Sequence, residues 1–161
     1  MGRLHPAGIA LTLIGVLGAA ISIYLTVVHY AAVPLVCSTS GLVNCERVLS
    51  SAYSSVVGVP ISAGGLVWFA VLGALGAAGL GAGAEPRWLQ PAQVGWALLG
   101  LLTAIYLVGV EVLALGVICA WCTALHVLIV TALLISILRA PVGEVEARAE
   151  GRDRRLGKGE A

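Results

Sequence analysis

Long apolar stretches alternate with short polar breaks along this chain, and the stretches are longer than the helices of a typical soluble domain. Four can be marked out: Gly8–Tyr30, Pro60–Ala84, Ala92–Gly116 and Ile118–Leu138. Each meets the requirement of roughly 20 apolar residues for a helix crossing about 30 Å of hydrocarbon. The first exceeds the roughly 7–15-residue apolar core of a signal peptide, and no small-x-small cleavage pattern follows a short core. It therefore reads as a membrane helix. Between Ala92 and Leu138 the only acidic residue is Glu111. A single helix of that length would be about 70 Å, more than twice the membrane core, so the chain must turn back. Leu115-Gly116-Val117 is the best place for the turn. The pattern predicts an all-α membrane protein, a four-transmembrane-helix bundle over residues 1–138.

Composition agrees. The chain is 60% hydrophobic and 11% charged, against about 45–50% apolar and about 25% charged in soluble domains. A net charge of +1, with no basic stripe before the tail, gives no argument for nucleic acid. Most of the 21 glycines sit inside the apolar stretches, where small residues let helix backbones approach closely. Residues 139–161 form a mixed-charge tail, expected to be solvated and disordered. No second folded domain is expected at this length.

Charge placement sets an expected orientation. Arg3, Arg87, Arg139, Arg148, Arg152, Arg154, Arg155 and Lys158 all fall on one side of a four-span topology, and Arg47 falls on the other. Positive charge stays cytoplasmic. Both termini are therefore expected inside a plasma-membrane, multi-pass protein, with the Ala31–Val59 loop and the turn near Gly116 outside. All four cysteines, Cys37, Cys45, Cys119 and Cys122, then lie on the extracytoplasmic side, where disulfides form and persist.

Cys119 and Cys122 make a Cys-x-x-Cys at the start of a helix, whose N-terminus favours a thiolate. Zinc sites use the same spacing and need four ligands, but the apolar flank and Ala-Trp spacer argue against zinc, and no metal is expected. Cys37 and Cys45 sit in the outer loop. Read alone, they are either a static structural disulfide or a mobile pair that collects electrons. Two pairs on one face, one at a helix end and one on a loop, favour a thiol–disulfide relay. A non-enzymatic four-helix scaffold with two structural disulfides is the alternative from another class.

These cysteines and three further runs resemble the vitamin K epoxide reductase family across roughly residues 7–138. The carriers are the loop pair, the run Cys45-Glu-Arg-Val-Leu-Ser-Ser51, the run Gly58-Val-Pro-Ile-Ser-Ala-Gly-Gly65 and the motif Cys119-Ala-Trp-Cys122. The order is informative. An unrelated four-helix bacterial disulfide oxidase places Cys-x-x-Cys first and its loop pair second. The resemblance implies a four-helix bundle around a quinone, capped by an extracytoplasmic loop with a short half-helix at about Leu42–Ser54. It implies that Cys37 exchanges with a partner, that Cys45 exchanges with Cys119, and that Cys122 reacts with a menaquinone, ubiquinone or similar quinone. Ser51 matches the family's serine or threonine behind the active site. Ser62 is the nearest polar substitute for an asparagine that the family has and this chain lacks. His126, one helical turn after Cys122, matches a position often held by tyrosine. Many bacterial relatives carry a fused thioredoxin-like domain. Here a separate extracytoplasmic thioredoxin-like partner is expected, and the activity implied is oxidation of that partner with reduction of membrane quinone, supporting disulfide-bond formation. Reduction of vitamin K epoxide is the alternative within the enzyme class.

Other polar residues bear on the expected quinone pocket. A carboxylate in hydrocarbon is costly and marks a cavity or a pathway. Glu111 is thus read either as a proton source or pocket wall, or as a residue reaching surface water. Trp121 is read as an interface anchor or as a wall for the quinone ring. His29, at the end of the first span, is read as an interfacial polar residue.

Overall fold

A computed structural model describes residues 6–31, 35–37, 41–80 and 86–138. The expected tail and the end of the expected second span lie outside these residues. Four long helices, each apolar and long enough to cross a membrane, form the body. Helix α1 is Pro6–Ala31, and the loop helix α2 is Cys45–Leu49. A single 3-10 turn, Ala52–Ser54, leads into a minimal hairpin of β1 (Ser55–Val56) and β2 (Val59–Pro60). Then follow α3 (Ile61–Ala78), α4 (Leu89–Gly109), a π-helical turn (Val110–Leu115) and α5 (Ala120–Leu138).

The most extensive packing is between α1 and α3, with α4 and α5 paired beside them. The first pair is close because glycines face each other. A Cβ placed on Gly15 would lie 2.5 Å from the Cα of Gly73. Leu11, Phe69, Leu72, Ala104, Ile129 and Ala132 form the shared core. Most polar groups in the bundle are paired, as an apolar solvent demands, the buried Ser22 hydroxyl being an exception. The indole N–H groups of Trp68 and Trp96 each donate to the other residue's carbonyl, at 3.3 and 3.0 Å, and tie α3 to α4. Buried Gln93 donates to the Leu75 carbonyl at 3.0 Å. Thr26 on α1 bonds to the Ser62 hydroxyl on α3 at 3.0 Å.

The four expected spans are all present, with shifted ends. The fourth begins at Ala120 instead of Ile118, because Ile118 is taken by a β-bridge to Val43 in the loop. The second ends at Ala78, where the N–H of Gly79 turns back onto the carbonyls of Ala77 and Gly76. The expected turn near Gly116 is there, with Gly116 in the left-handed region at φ +66°, where a residue without Cβ is least strained. The half-helix expected over Leu42–Ser54 is shorter. Val43 is held extended in the bridge, Asn44 caps α2 by accepting the Arg47 N–H at 2.9 Å, and extended Ser51 separates α2 from the 3-10 turn. This is the stop-and-start chemistry of an N-cap.

Candidate functional site

The loop meets the bundle at one point of backbone pairing. The Asn44 N–H donates to the Ile118 carbonyl at 3.0 Å, and the Ile118 N–H donates to the Leu42 carbonyl at 2.9 Å. Cys45 directly follows Asn44, and Cys119 directly follows Ile118, so the bridge brings one cysteine of each pair to a common junction. Both are fully buried. Cys45 is disulfide-bonded to Cys37, with Cα atoms 6.2 Å apart. Cys119 and Cys122 are free thiols. Cys45 and Cys119, the two middle members of the expected relay, thus each follow a residue of this backbone pairing, although 74 positions separate them in the chain.

The segment around Cys37 is held by aromatic residues. The Val36 N–H donates to the Tyr24 hydroxyl at 3.1 Å, and the Trp121 indole N–H donates to the Val36 carbonyl at 3.0 Å. The Tyr24 and Trp121 rings pack at 5.3 Å. Trp121 therefore clamps the loop and is not among the cavity walls described below. An indole N–H needs a partner, and here a loop carbonyl supplies it.

Cys119 sits at the position that caps α5. Its carbonyl accepts the first helical bond from the Thr123 N–H at 2.9 Å. Its thiol is held below the ordinary cysteine range, chiefly because the Cys122 side chain hydrogen-bonds to it, with further help from the backbone N–H groups of Cys122 and Trp121. Burial and the nearby Glu111 carboxylate oppose the shift without reversing it. A thiolate is the species that attacks a disulfide. In the protein with its loop disulfide intact, alkylation of Cys119 by a small reagent should show a pH midpoint below the roughly 8.5 of a free cysteine. In Cys122→Ala the midpoint should rise, since the main stabilising bond is gone. Peptide mass mapping across a pH series checks both expectations, and an unchanged midpoint in the variant would contradict this account.

Glu111 is 4% exposed and lies in the π-helical turn. Its Oε2 accepts the Cys119 N–H at 3.3 Å, and the Cys122 thiol also bonds to its carboxylate. The turn that presents it is closed by the Val117 N–H donating to the Glu111 carbonyl at 3.1 Å. Such π-turns inside α-helices are frequent at functional sites. At this burial Glu111 does not reach surface water, the second of its two sequence readings.

Below the loop lies a cavity of about 480 Å³. That is within the roughly 300–1,000 Å³ typical of small-molecule sites, which are mostly apolar with a few placed polar groups. Ser51, Ser62, Glu111, Cys122 and His126 all line it, so five of the expected residues converge. His29 also lines it, where sequence reasoning had left it as an interfacial residue. The available signal was its spacing: Leu25 and His29 are four apart on α1 and share a face, and both line the cavity. Tyr53 and Thr103 were likewise missed. Among the described residues, no three His, Cys, Asp or Glu side chains are grouped as a metal ion would need.

A sequence model of the vitamin K epoxide reductase family matches residues 9–137, a stretch that takes in nearly all of the four long helices and both cysteine pairs. No curated protein matches the chain.

Proposed function

The chain belongs to the vitamin K epoxide reductase family and is a membrane oxidoreductase, and on that premise we propose that it oxidises the dithiol of a separate thioredoxin-like protein and reduces a membrane quinone. The observation that carries the reading is the Val43–Ile118 bridge. It joins Val43, two residues before the disulfide-bonded Cys45, to Ile118, the residue before Cys119, and Cys122 of the same motif lines the cavity.

The cavity suits a quinone headgroup in size and lining. Its walls are apolar, and the Ser62 hydroxyl and the imidazoles of His29 and His126 are placed to donate to ring oxygens, whereas the Ser51 hydroxyl already donates to the Val48 carbonyl at 2.8 Å. When bound, a quinone accepts two electrons and two protons. The protein's own residues do the rest. A partner thiolate attacks Cys37, the two electrons pass into the loop pair, and the partner leaves as its disulfide. Cys45 then attacks Cys119 of the Cys119–Cys122 disulfide, which releases Cys122 as thiolate within the cavity. Cys37 resolves the Cys45–Cys119 bond and re-forms the loop disulfide. Cys119 and Cys122 are then reduced, and Cys122 faces the acceptor. The bridge supplies proximity for the sulfur exchange, and the helix start and Glu111 orient Cys119. Outward placement of the loop, with inward termini, follows from the arginine distribution and belongs to the same proposal.

Purified protein in detergent, given a reduced thioredoxin-like protein and a quinone, should bleach the quinone absorbance. One quinone should be consumed per two partner thiols lost. If no quinone is consumed and both cysteine pairs stay oxidised throughout, the reading is wrong and a disulfide-braced scaffold replaces it.

A further inference from the structure

A second cavity, of about 410 Å³, lies between the α4 end of the bundle and α5. It shares two side chains with the first cavity, Glu111 and His126. The rest of its lining is aliphatic or threonine, including Ile118, Thr123 and Val127. Its walls reach the level of the cysteine junction, since Ile118 is the bridge residue and the Thr123 hydroxyl bonds to the Cys119 carbonyl at 3.0 Å. Glu111 and His126 therefore form a wall with the redox cavity on one side and this second space on the other.

We propose that the second cavity is the proton entrance of the redox site, and that Glu111 carries protons across the wall with His126 beside it. The inference rests on the quinone reading above. Three observations point to it. A quinone seated in the first cavity occupies the space through which water would otherwise reach Cys122. Glu111 touches the Cys122 thiol and opens on the second cavity at once. A buried carboxylate is also more than the Cys119 N–H requires, since a neutral amide oxygen would accept that bond equally well, and ionisable groups at membrane depth mark proton paths.

Proton balance gives the route its purpose. As the Cys119–Cys122 bond forms, two electrons pass from sulfur to bound quinone, and quinol needs two protons. When Cys119 reacts as the thiolate, the species that forms the disulfide, the sulfur pair brings one proton, on Cys122, and water in the second cavity supplies the other. The titratable groups around Glu111 are Cys119, Cys122 and His126 from the α5 side. Across the first cavity lie His29 of α1 and Tyr53 of the loop. Glu46 and Arg47 of α2, which packs on the π-helical turn, are exposed.

The test needs no partner and no electron acceptor: a redox-inert quinol dimethyl ether fills the first cavity, so that water does not reach Cys122 through it. The infrared S–H stretch of the reduced Cys119/Cys122 pair converts to S–D when the full-length protein in lipid nanodiscs is mixed with heavy water. Glu111→Gln keeps an acceptor for the Cys119 N–H but cannot carry the proton. Val127→Phe fills the second cavity from its outer wall, at a position that does not line the first. Each should slow exchange at Cys122 at least tenfold, the lower end of what a positioned acid–base group contributes being about a hundredfold. Leu113→Phe, at an 87% exposed position lining neither cavity, should exchange as the wild type does. Wild-type exchange in either Glu111→Gln or Val127→Phe overturns the route, and so does equal slowing in Leu113→Phe. Because no acceptor is present, failure of quinone reduction in the assay above leaves this result standing, and the two ideas fall separately.

Discussion

Cys122→Ser is expected to bring quinone reduction down to background while leaving the earlier sulfur exchange intact and trapped. In the wild type, Cys119 can attack Cys45 of the loop disulfide, forming a Cys45–Cys119 bond and releasing Cys37. Cys122 resolves this bond by attacking Cys119 from three residues along the same helix start, which frees Cys45, leaves the loop pair reduced and forms Cys119–Cys122. A serine at 122 cannot attack a disulfide, so only Cys37 is left to resolve the Cys45–Cys119 bond, and alkylation of the released Cys37 should trap it. The loss in turnover should exceed about 10³-fold, or about 4 kcal/mol at roughly 1.4 kcal/mol per decade. Non-reducing peptide mapping should find Cys45 joined to Cys119, and Cys37 open to alkylation. A variant that keeps turning over quinone would remove Cys122 from the path. One that is inactive but retains only the Cys37–Cys45 disulfide would show that the bridge does not bring the two pairs into exchange. Serine leaves the volume of the site nearly unchanged, so folding is not the variable. Cys122 also gives the main hydrogen bond that stabilises the Cys119 thiolate. Some slowing of trap formation is therefore expected, most visibly at low pH, where fewer Cys119 thiols are ionised.

Gly15→Leu should prevent the bundle from assembling, a larger effect on stability than any surface change in this chain. The reason is the contact between α1 and α3. A Cβ at residue 15 would lie 2.5 Å from the Gly73 Cα, 2.6 Å from the Gly73 N and 2.9 Å from the Phe69 carbonyl oxygen. All three neighbours are backbone atoms, which cannot rotate away as a side chain would, so the helices must separate. Gly15→Ala should already cost about 1–3 kcal/mol, the usual range for overpacking. Leu adds three more carbons to the same closed space. Separation also reaches the site, because α1 carries Leu25 and His29, α3 carries Ser62, and the Thr26–Ser62 hydrogen bond spans them. Gly95→Ala is the matched control, since nothing lies within 4 Å of a Cβ there. Tryptophan fluorescence on heating, with recovery of monodisperse protein on size exclusion, should show a lowered midpoint for Gly15→Ala and no folded peak for Gly15→Leu. Gly95→Ala should match the wild type. Equal behaviour of the two alanine variants would mean that the close α1–α3 approach does not govern stability.

The four spans were legible because crossing hydrocarbon sets a minimum apolar length that no local context overrides. The turn was legible from the impossibility of a helix twice the membrane's thickness, and Gly116 marked its place with the left-handed backbone the turn uses. The Cys-x-x-Cys at a helix start was legible from spacing alone. Its neighbours were not. Each span is apolar all round, so no polar stripe reports which face looks inward, whereas a soluble helix announces its buried face by periodicity. That is why His29 read as an interfacial residue and why Trp121 kept two readings until the Val36 carbonyl claimed its N–H. The start of the fourth span was misplaced for a related reason. Ile118 is as good a helix residue as its successors, but a strand contact with Val43 competes for its backbone, and that contact joins segments 75 positions apart. The sequence by itself determined a four-helix membrane bundle carrying two cysteine pairs, because transfer free energy and sulfur spacing are local properties. Only the tertiary structure decided that a Val43–Ile118 bridge ties the cysteine loop to the start of the fourth helix, that Glu111 holds the Cys119 N–H and that Glu111 and His126 line two cavities, because backbone pairing and helix facing depend on residues far apart in the chain.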